Sequence, residues 1–295
     1  MNCRWLSLIA VSLSLCSHAQ LSPLRGCLGT YDHSPRLPSG RMDIPKLISE
    51  LLDLRANTYN FLIAQHTNDW DDLKLFLPRA REKNIAVWVT LLPPSESPPR
   101  GRRYSEPFRL DFDRWAEALA KLSLAETNLV AWSIDDFFHN EKFFTPEMVK
   151  QFSDLSRKIS PRLASMPCWY FRQIKPETAA KYHGLFDGLL FPYRAESQPK
   201  ANLTNATLVE FEVQKIRGIM GTNFPVILDV YATAHSRLGG STVEYVQEVV
   251  KRGLRCCDGV LIYRHQDPVA DAAKYQVIRT EFHHWLNETT NKTRL

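Results

Sequence analysis

Between Gly26 and the C-terminal region, short apolar runs alternate about eight times with segments of helical period. The runs are Gly26–Tyr31, Thr58–Ala64, Ile85–Leu91, Leu129–Ile134, Leu163–Cys168, Gly188–Pro192, Val226–Tyr231 and Gly259–Tyr263. Most are continuously apolar, the pattern of parallel strands whose outer face is covered by helices. The intervening segments carry helix signals. Leu47, Leu51 and Leu54 form one inward stripe, and Asp111 precedes a second made by Phe112, Trp115, Leu119 and Leu122. Thr145-Pro146-Glu147 and Lys175-Pro176-Glu177 place proline at a first helical position, and Ser241-Thr242-Val243-Glu244 fits a capping box.

Eight strands alternating with helices can close as a barrel or stay open as a doubly wound sheet. The count of eight favours closure, and the first strand lacks the glycine-rich turn of a dinucleotide-binding sheet. The expected fold class is therefore α/β, a single (β/α)₈ TIM barrel over residues 20–295, with no break in composition to divide it. The longest loop, Pro93 to Leu110, follows strand three at the functional end of such a barrel and suits a lid or a substrate wall.

Composition changes this picture little. The 295 residues are 44% hydrophobic and carry a formal charge of +5, enough for one large core. Lys and Arg are scattered among Asp and Glu, so a nucleic-acid partner is not expected. The one basic cluster, Arg100, Arg102 and Arg103, reads as a solvated loop, with a site for an acidic ligand as the alternative. Residues 1–19 read as a signal peptide: Arg4, the apolar Leu6–Leu15, and Ser17-His18-Ala19 before Gln20. That stretch is too short to span a bilayer, and no later segment is apolar enough, so a secreted or periplasmic protein without a membrane span is expected. Beyond it stand Cys27, Cys168, Cys256 and Cys257, with no zinc spacing. Strands one and eight are neighbours in a closed barrel, so Cys27 can pair with Cys256 or Cys257; free thiols are the alternative.

Active sites of these barrels lie at the C-terminal strand ends. There the sequence places Tyr31-Asp32-His33, Gln65-His66, Asp135-Asp136, Trp169-Tyr170, Tyr193-Arg194, Asp229 with Tyr231, and Tyr263-Arg264-His265. Aromatic rings stack on sugar faces, and carboxylates and amides hold hydroxyls, so the mixture suits a carbohydrate. Glycosidic cleavage usually uses two carboxyl groups. Asp135 and Asp136 are the first candidates, because neighbouring carboxylates in a desolvated pocket repel and leave an acid beside a base; Asp229 is the alternative second carboxylate. The structural alternative has one Asp capping the next helix and the other pairing with an Arg. Tyr31, Trp169, Tyr193, Tyr231 and Tyr263 are the expected sugar platform, with Asp32, His66, Arg194, Arg264 and His265 on peripheral hydroxyls.

The run Asn57–Leu62, then Ile85–Val89, then Trp132-Ser133-Ile134-Asp135-Asp136-Phe137 resembles the O-GlcNAcase and hyaluronidase-type hexosaminidases, which carry an adjacent Asp pair at the end of strand four. The resemblance covers residues 26 to 160 and departs from the family at Gly26–Tyr31. It implies that Asp135 orients and polarises the N-acetyl group, that Asp136 is the general acid/base, and that the acetamido oxygen is the nucleophile of a retaining reaction. Two other classes stay open: a non-catalytic carbohydrate-binding barrel, and a metal-dependent hydrolase or sugar isomerase using His33, His66, His139, His235 and His265 with Asp32, Glu141 and the site acids. No HxH or HExxH spacing supports the latter, so no metal or cofactor is expected. A GxSxG elbow is also missing. The sequence leaves the oligomeric state open.

Overall fold

The computed structural model describes residues 24–292; the signal peptide expected at residues 1–19 lies outside them. Eight parallel strands form one sheet in the order β5-β4-β3-β2-β1-β10-β7-β6. They are β1 (Cys27–Tyr31), β2 (Thr58–Ile63), β3 (Ala86–Leu91), β4 (Leu129–Ile134), β5 (Ala164–Pro167), β6 (Leu189–Pro192), β7 (Val226–Tyr231) and β10 (Gly259–Tyr263). The ring closes between β5 and β6 by a single parallel bridge, Cys168 to Leu190, where the Trp169 amide donates to the Leu190 carbonyl at 2.9 Å. Closure removes the exposed edges an open sheet would leave. The chain is a (β/α)₈ barrel, with β8 (Ala234–His235) and β9 (Gly239–Gly240) forming a small hairpin on the loop after β7.

The helices α1 (Ile44–Asp53), α2 (Asp69–Arg81), α3 (Phe112–Ala125), α4 (Pro146–Ile159), α5 (Pro176–Lys181), α6 (Val209–Met220), α7 (Val243–Cys256) and α8 (Ala272–Lys292) alternate with the barrel strands. Capping follows local chemistry. The Asp111 carboxylate accepts from the Arg114 amide at 3.0 Å, and the Thr145 hydroxyl from the Met148 amide at 3.3 Å. At α7 the cap is Thr242, accepting from the Tyr245 amide at 3.1 Å, one residue later than the Ser241 capping box implies. Among the described residues no helix is long and apolar enough to cross a membrane.

Two cores result from the period of two along each strand. Outward residues such as Phe61, Val89, Trp132, Phe191 and Val230 pack against the helices, while Cys27, Trp88, Ala131, Met166, Leu190, Ile227 and Leu261 fill the barrel floor. Gly29 lets β1 pass close to β2, since a Cβ there would stand 2.1 Å from the Thr58 carbonyl oxygen. The same partition decides the cysteines. Cys27 points into the floor, whereas Cys256 and Cys257 pack on the helix side of the wall. All four described cysteines are free, so of the two readings left open for Cys27 the structure has the free thiol.

Candidate active site

The inward positions that continue each strand past the floor meet at the C-terminal mouth. Tyr31 (β1), Asp135 (after β4), Cys168 (after β5), Asp229 and Tyr231 (β7) and Tyr263 (β10) line a cavity of about 340 Å³, with Asp136, Tyr170 and His235 at its side. Below it a polar layer crosses three strands: Thr90 Oγ1 donates to Asn60 Oδ1 at 2.8 Å and meets Ser133 Oγ at 2.5 Å.

Asp135 and Asp136 both face this cavity although they are consecutive. Asp135 follows the inward series Ala131, Ser133. Asp136 would point outward by parity, but it adopts a left-handed backbone, φ 40° and ψ 37°, at the entry to a 3₁₀ turn (Phe137–Asn140). Such a conformation costs a non-glycine residue free energy and is kept where surrounding contacts impose it. Here Asn140 imposes it. Its Nδ2 donates to the Asp136 carbonyl and to Ser95 Oγ, both at 2.9 Å, and its Oδ1 accepts from the Ser95 amide at 2.9 Å. That clamp also ties the long loop after β3 to the β4 end, and Glu96 of the loop joins the cavity wall.

The two carboxyl groups differ in environment. Asp135 accepts from the Tyr31 hydroxyl at 3.3 Å and from the Asp136 amide at 2.9 Å. Burial, then the neighbouring charges of Asp136 and Glu96, pushes it up to about 7. Asp136 is also desolvated, which raises it. The Tyr170 hydroxyl, 2.6 Å from its Oδ1, and His139, whose Nδ1 lies at 3.5 Å, outweigh that burial together with the Arg194 charge. The net result is a carboxyl below the ordinary Asp range. The proton of the pair thus resides preferentially on Asp135 and the charge on Asp136, the reverse of the division of labour the hexosaminidase resemblance implies.

Tyr170 is positioned from beneath. The Arg194 guanidinium lies 3.8 Å from its ring centroid and forms an ion pair with Glu196, whose other oxygen accepts from the Arg172 amide at 3.0 Å. Opposite, Tyr31 and Tyr231 flank Tyr263 with ring centroids 5.2 and 5.3 Å apart. Burial drives all four of these tyrosines well above their ordinary range, so their hydroxyls remain donors.

Several sequence-predicted site residues lie elsewhere. Trp169 and Tyr193 are outward by parity and fully buried. The first packs on Phe137 and Phe138; the second donates to the Asn205 carbonyl and stacks on Tyr245. Neither is part of a sugar platform. His265 is buried between Glu50 Oε2 and Thr30 Oγ1, both at 2.9 Å, a strand-to-helix contact. Asp32 is enclosed by His33 and Gln65, and His66 and Arg264 line a separate hollow of about 380 Å³ beside α1. His33, His66 and His265 line that hollow together but hold separate partners: His33 is on Asp32 and His265 on Glu50, while His139 is on Asp136 and His235 near Arg194. Among the described residues no group of three or more His, Cys, Asp or Glu side chains is arranged to hold a metal ion. Glu96 is a site residue that sequence reasoning passed over, and Tyr170 one that it placed at the end of strand five without assigning it a role. Tyr170 was within reach of it, two positions beyond the inward Cys168.

By sequence, the chain matches no protein-family profile and no curated protein. By structure it is similar to a GH18 chitinase from Pseudoalteromonas aurantia at 14% identity, covering 86% of this chain and 99% of that one with a TM-score of 0.58. It is also similar to a GH113 β-1,4-mannanase at 11% identity, covering 88% and 98% with a TM-score of 0.59. A GH2 β-galacturonidase from Eisenbergiella tayi matches at 15% identity over 87% of this chain, which spans 50% of that longer protein, with a TM-score of 0.55. At such identities the likeness is one of fold, and the fold is the (β/α)₈ barrel.

Proposed function

We propose that this protein is a glycoside hydrolase acting outside the cytoplasm, with Asp135 as proton donor and Asp136 as the charged partner. The observation that carries the reading is an adjacent pair of carboxyls facing one tyrosine-lined cavity in unlike surroundings, Asp135 buried against Tyr31 and Asp136 bonded to the Tyr170 hydroxyl, so that burial raises the first and its partners lower the second. A glycosidase needs an acid for the leaving oxygen and a negative charge near the anomeric carbon. The chitinase and mannanase that share the fold, glycoside hydrolases by their names, support the class, and the leader pattern at residues 1–19 supports export.

The finer reading is a retaining, substrate-assisted reaction. Asp135 gives its proton to the glycosidic oxygen as the C1–O bond breaks. The substrate's acetamido oxygen bonds to C1, and Asp136 stabilises the positive charge that spreads over the resulting ring. Water then opens that ring at C1, returning its proton to Asp135. Tyr31, Tyr231 and Tyr263 supply ring faces and hydroxyl donors to the sugar, and Tyr170 keeps Asp136 ionised.

The test is hydrolysis of a panel of aryl glycosides and polysaccharides by wild type, Asp135→Asn and Asp136→Asn. Activity on an N-acetylhexosaminide that collapses in both variants supports the whole reading. The same collapse on another sugar keeps the glycosidase and removes substrate assistance. Undiminished glycan binding with no hydrolysis in any of the three proteins replaces the enzyme by a carbohydrate-binding barrel.

A further inference from the structure

Asp229 stands in the cavity floor with 3% of its surface exposed, and its Oδ1 is enclosed without a hydrogen-bond partner. No side-chain hydrogen bond to this carboxyl forms among the described residues. The surrounding sequence explains why. Asp229 lies in register with Leu261 on β10 and Pro192 on β6, neither of which has a side-chain donor. The catalytic pair, by contrast, is held by Tyr31, Tyr170 and His139. A buried polar group left unsatisfied opposes folding, and one kept in a cavity floor points to a ligand that completes it.

We propose that Asp229 is the specificity-determining residue of the innermost sugar position, where its free oxygens hold one ring hydroxyl of the glycoside while Asp135 and Asp136 act at the anomeric centre. This rests on the glycosidase reading above and narrows the substrate to glycosides with a free hydroxyl facing β7. Burial, with the nearby charge of Asp32 adding to it and that of Asp135 only once Asp135 ionises, keeps the carboxyl well above the ordinary range. In its protonated form it offers one O–H donor and one carbonyl acceptor. A sugar hydroxyl is itself both donor and acceptor and satisfies the two together. Asp229 thus binds the sugar that the pair cleaves and takes no part as a second catalytic carboxylate.

The experiment compares wild type, Asp229→Asn and Asp229→Ala, each checked for folding by thermal melting, on the best aryl glycoside of the panel and on its monodeoxy analogues. Asp229→Ala is expected to lower kcat/KM by about 100-fold or more on the parent glycoside. That loss should shrink to within about twofold on one monodeoxy analogue and persist on the others. Asp229→Asn, which keeps a donor and an acceptor, should lose less than about tenfold. Equal losses on every analogue, as a carboxyl that only holds water in the barrel would give, overturn the proposal. So does an Asp229→Asn variant as inactive as Asp135→Asn, which would make Asp229 catalytic. Should wild type hydrolyse nothing, calorimetric titration with oligosaccharides of the same panel separates the two ideas. Binding lost in Asp229→Ala keeps the recognition role without the enzyme; binding unchanged, or absent in wild type, ends it.

Discussion

Replacing Tyr170 with phenylalanine removes one hydroxyl, the one 2.6 Å from Asp136 Oδ1, and leaves the ring over the Arg194 guanidinium. A hydrogen bond to a charged group contributes roughly 1.5–3 kcal/mol. If Asp136 must be ionised in the transition state, that range corresponds to a fall in kcat/KM of about 10- to 150-fold. The sign of the pH effect follows from the geometry. The Tyr170 hydroxyl stabilises the Asp136 carboxylate, so its loss raises the pH at which Asp136 takes up a proton. The acidic limb of the kcat/KM profile then moves to higher pH. The alkaline limb belongs mainly to Asp135, whose largest influence is burial, and should stay near 7. Because the two groups titrate as a pair, the limbs are properties of the pair, and it is the shift of one limb alone that is diagnostic. The assay is kcat/KM across about pH 4 to 9 for wild type and Tyr170→Phe. A variant within about twofold of wild type, or an acidic limb that does not move, would refute the assignment of the charge to Asp136.

Asp135→Asn should stabilise the fold while abolishing activity. Asp135 is raised from its ordinary 3.8 to about 7, so its cost to folding is absent below the lower value, grows between the two and is complete above the higher one. The gain in Tm should follow that window, under a ceiling of about 4 kcal/mol, and a gain present at about pH 3 would contradict it. His265→Ala leaves the buried Glu50 carboxylate without its imidazole partner and should cost ~3 kcal/mol in denaturant unfolding while KM stays unchanged; a raised KM would return His265 to the site. Trp169→Ala should cost about 3–5 kcal/mol by emptying a core position, and sugar affinity measured on the folded fraction should be unaltered. Gly29→Ala forces a Cβ against the Thr58 carbonyl and should lower stability by about 1–3 kcal/mol or more, visible as a depressed Tm.

All eight barrel strands lie within a residue or two of the apolar runs that announce them, because a strand covered on both faces is largely apolar. The site was less legible for the same reason. A run with few polar residues conceals which of its positions face inward, and residues near a strand end then look equally available to the mouth. Trp169 and Tyr170 are adjacent aromatics after one strand, yet the first fills the helix layer and the second bonds Asp136. Tyr193 falls to the outer face because Pro192 lines the cavity. Glu96 sits in a loop whose course depends on Asn140, a contact 45 residues distant that no local pattern contains.

Parity carried through from the floor separates the strand-end residues that face the cavity from those that do not. Counting by two from Ala131 reaches Asp135, from Leu190 reaches Pro192 and Arg194, from Ile227 reaches Asp229 and Tyr231, and from Leu261 reaches Tyr263. Continued from Met166 it passes Cys168 and selects Tyr170 over Trp169. His265 is the exception that shows the rule's limit, because β10 ends at Tyr263 and the chain turns toward α1 to meet Glu50. Asp136 is the opposite exception. It gains the cavity against parity through a left-handed backbone that Asn140 holds in place. The pairing of an acid with a carboxylate therefore depends as much on Asn140 as on the two aspartates. Asn140→Ala would release both the turn and the loop bearing Glu96, and is the substitution outside the pair that should most disturb its division of charge.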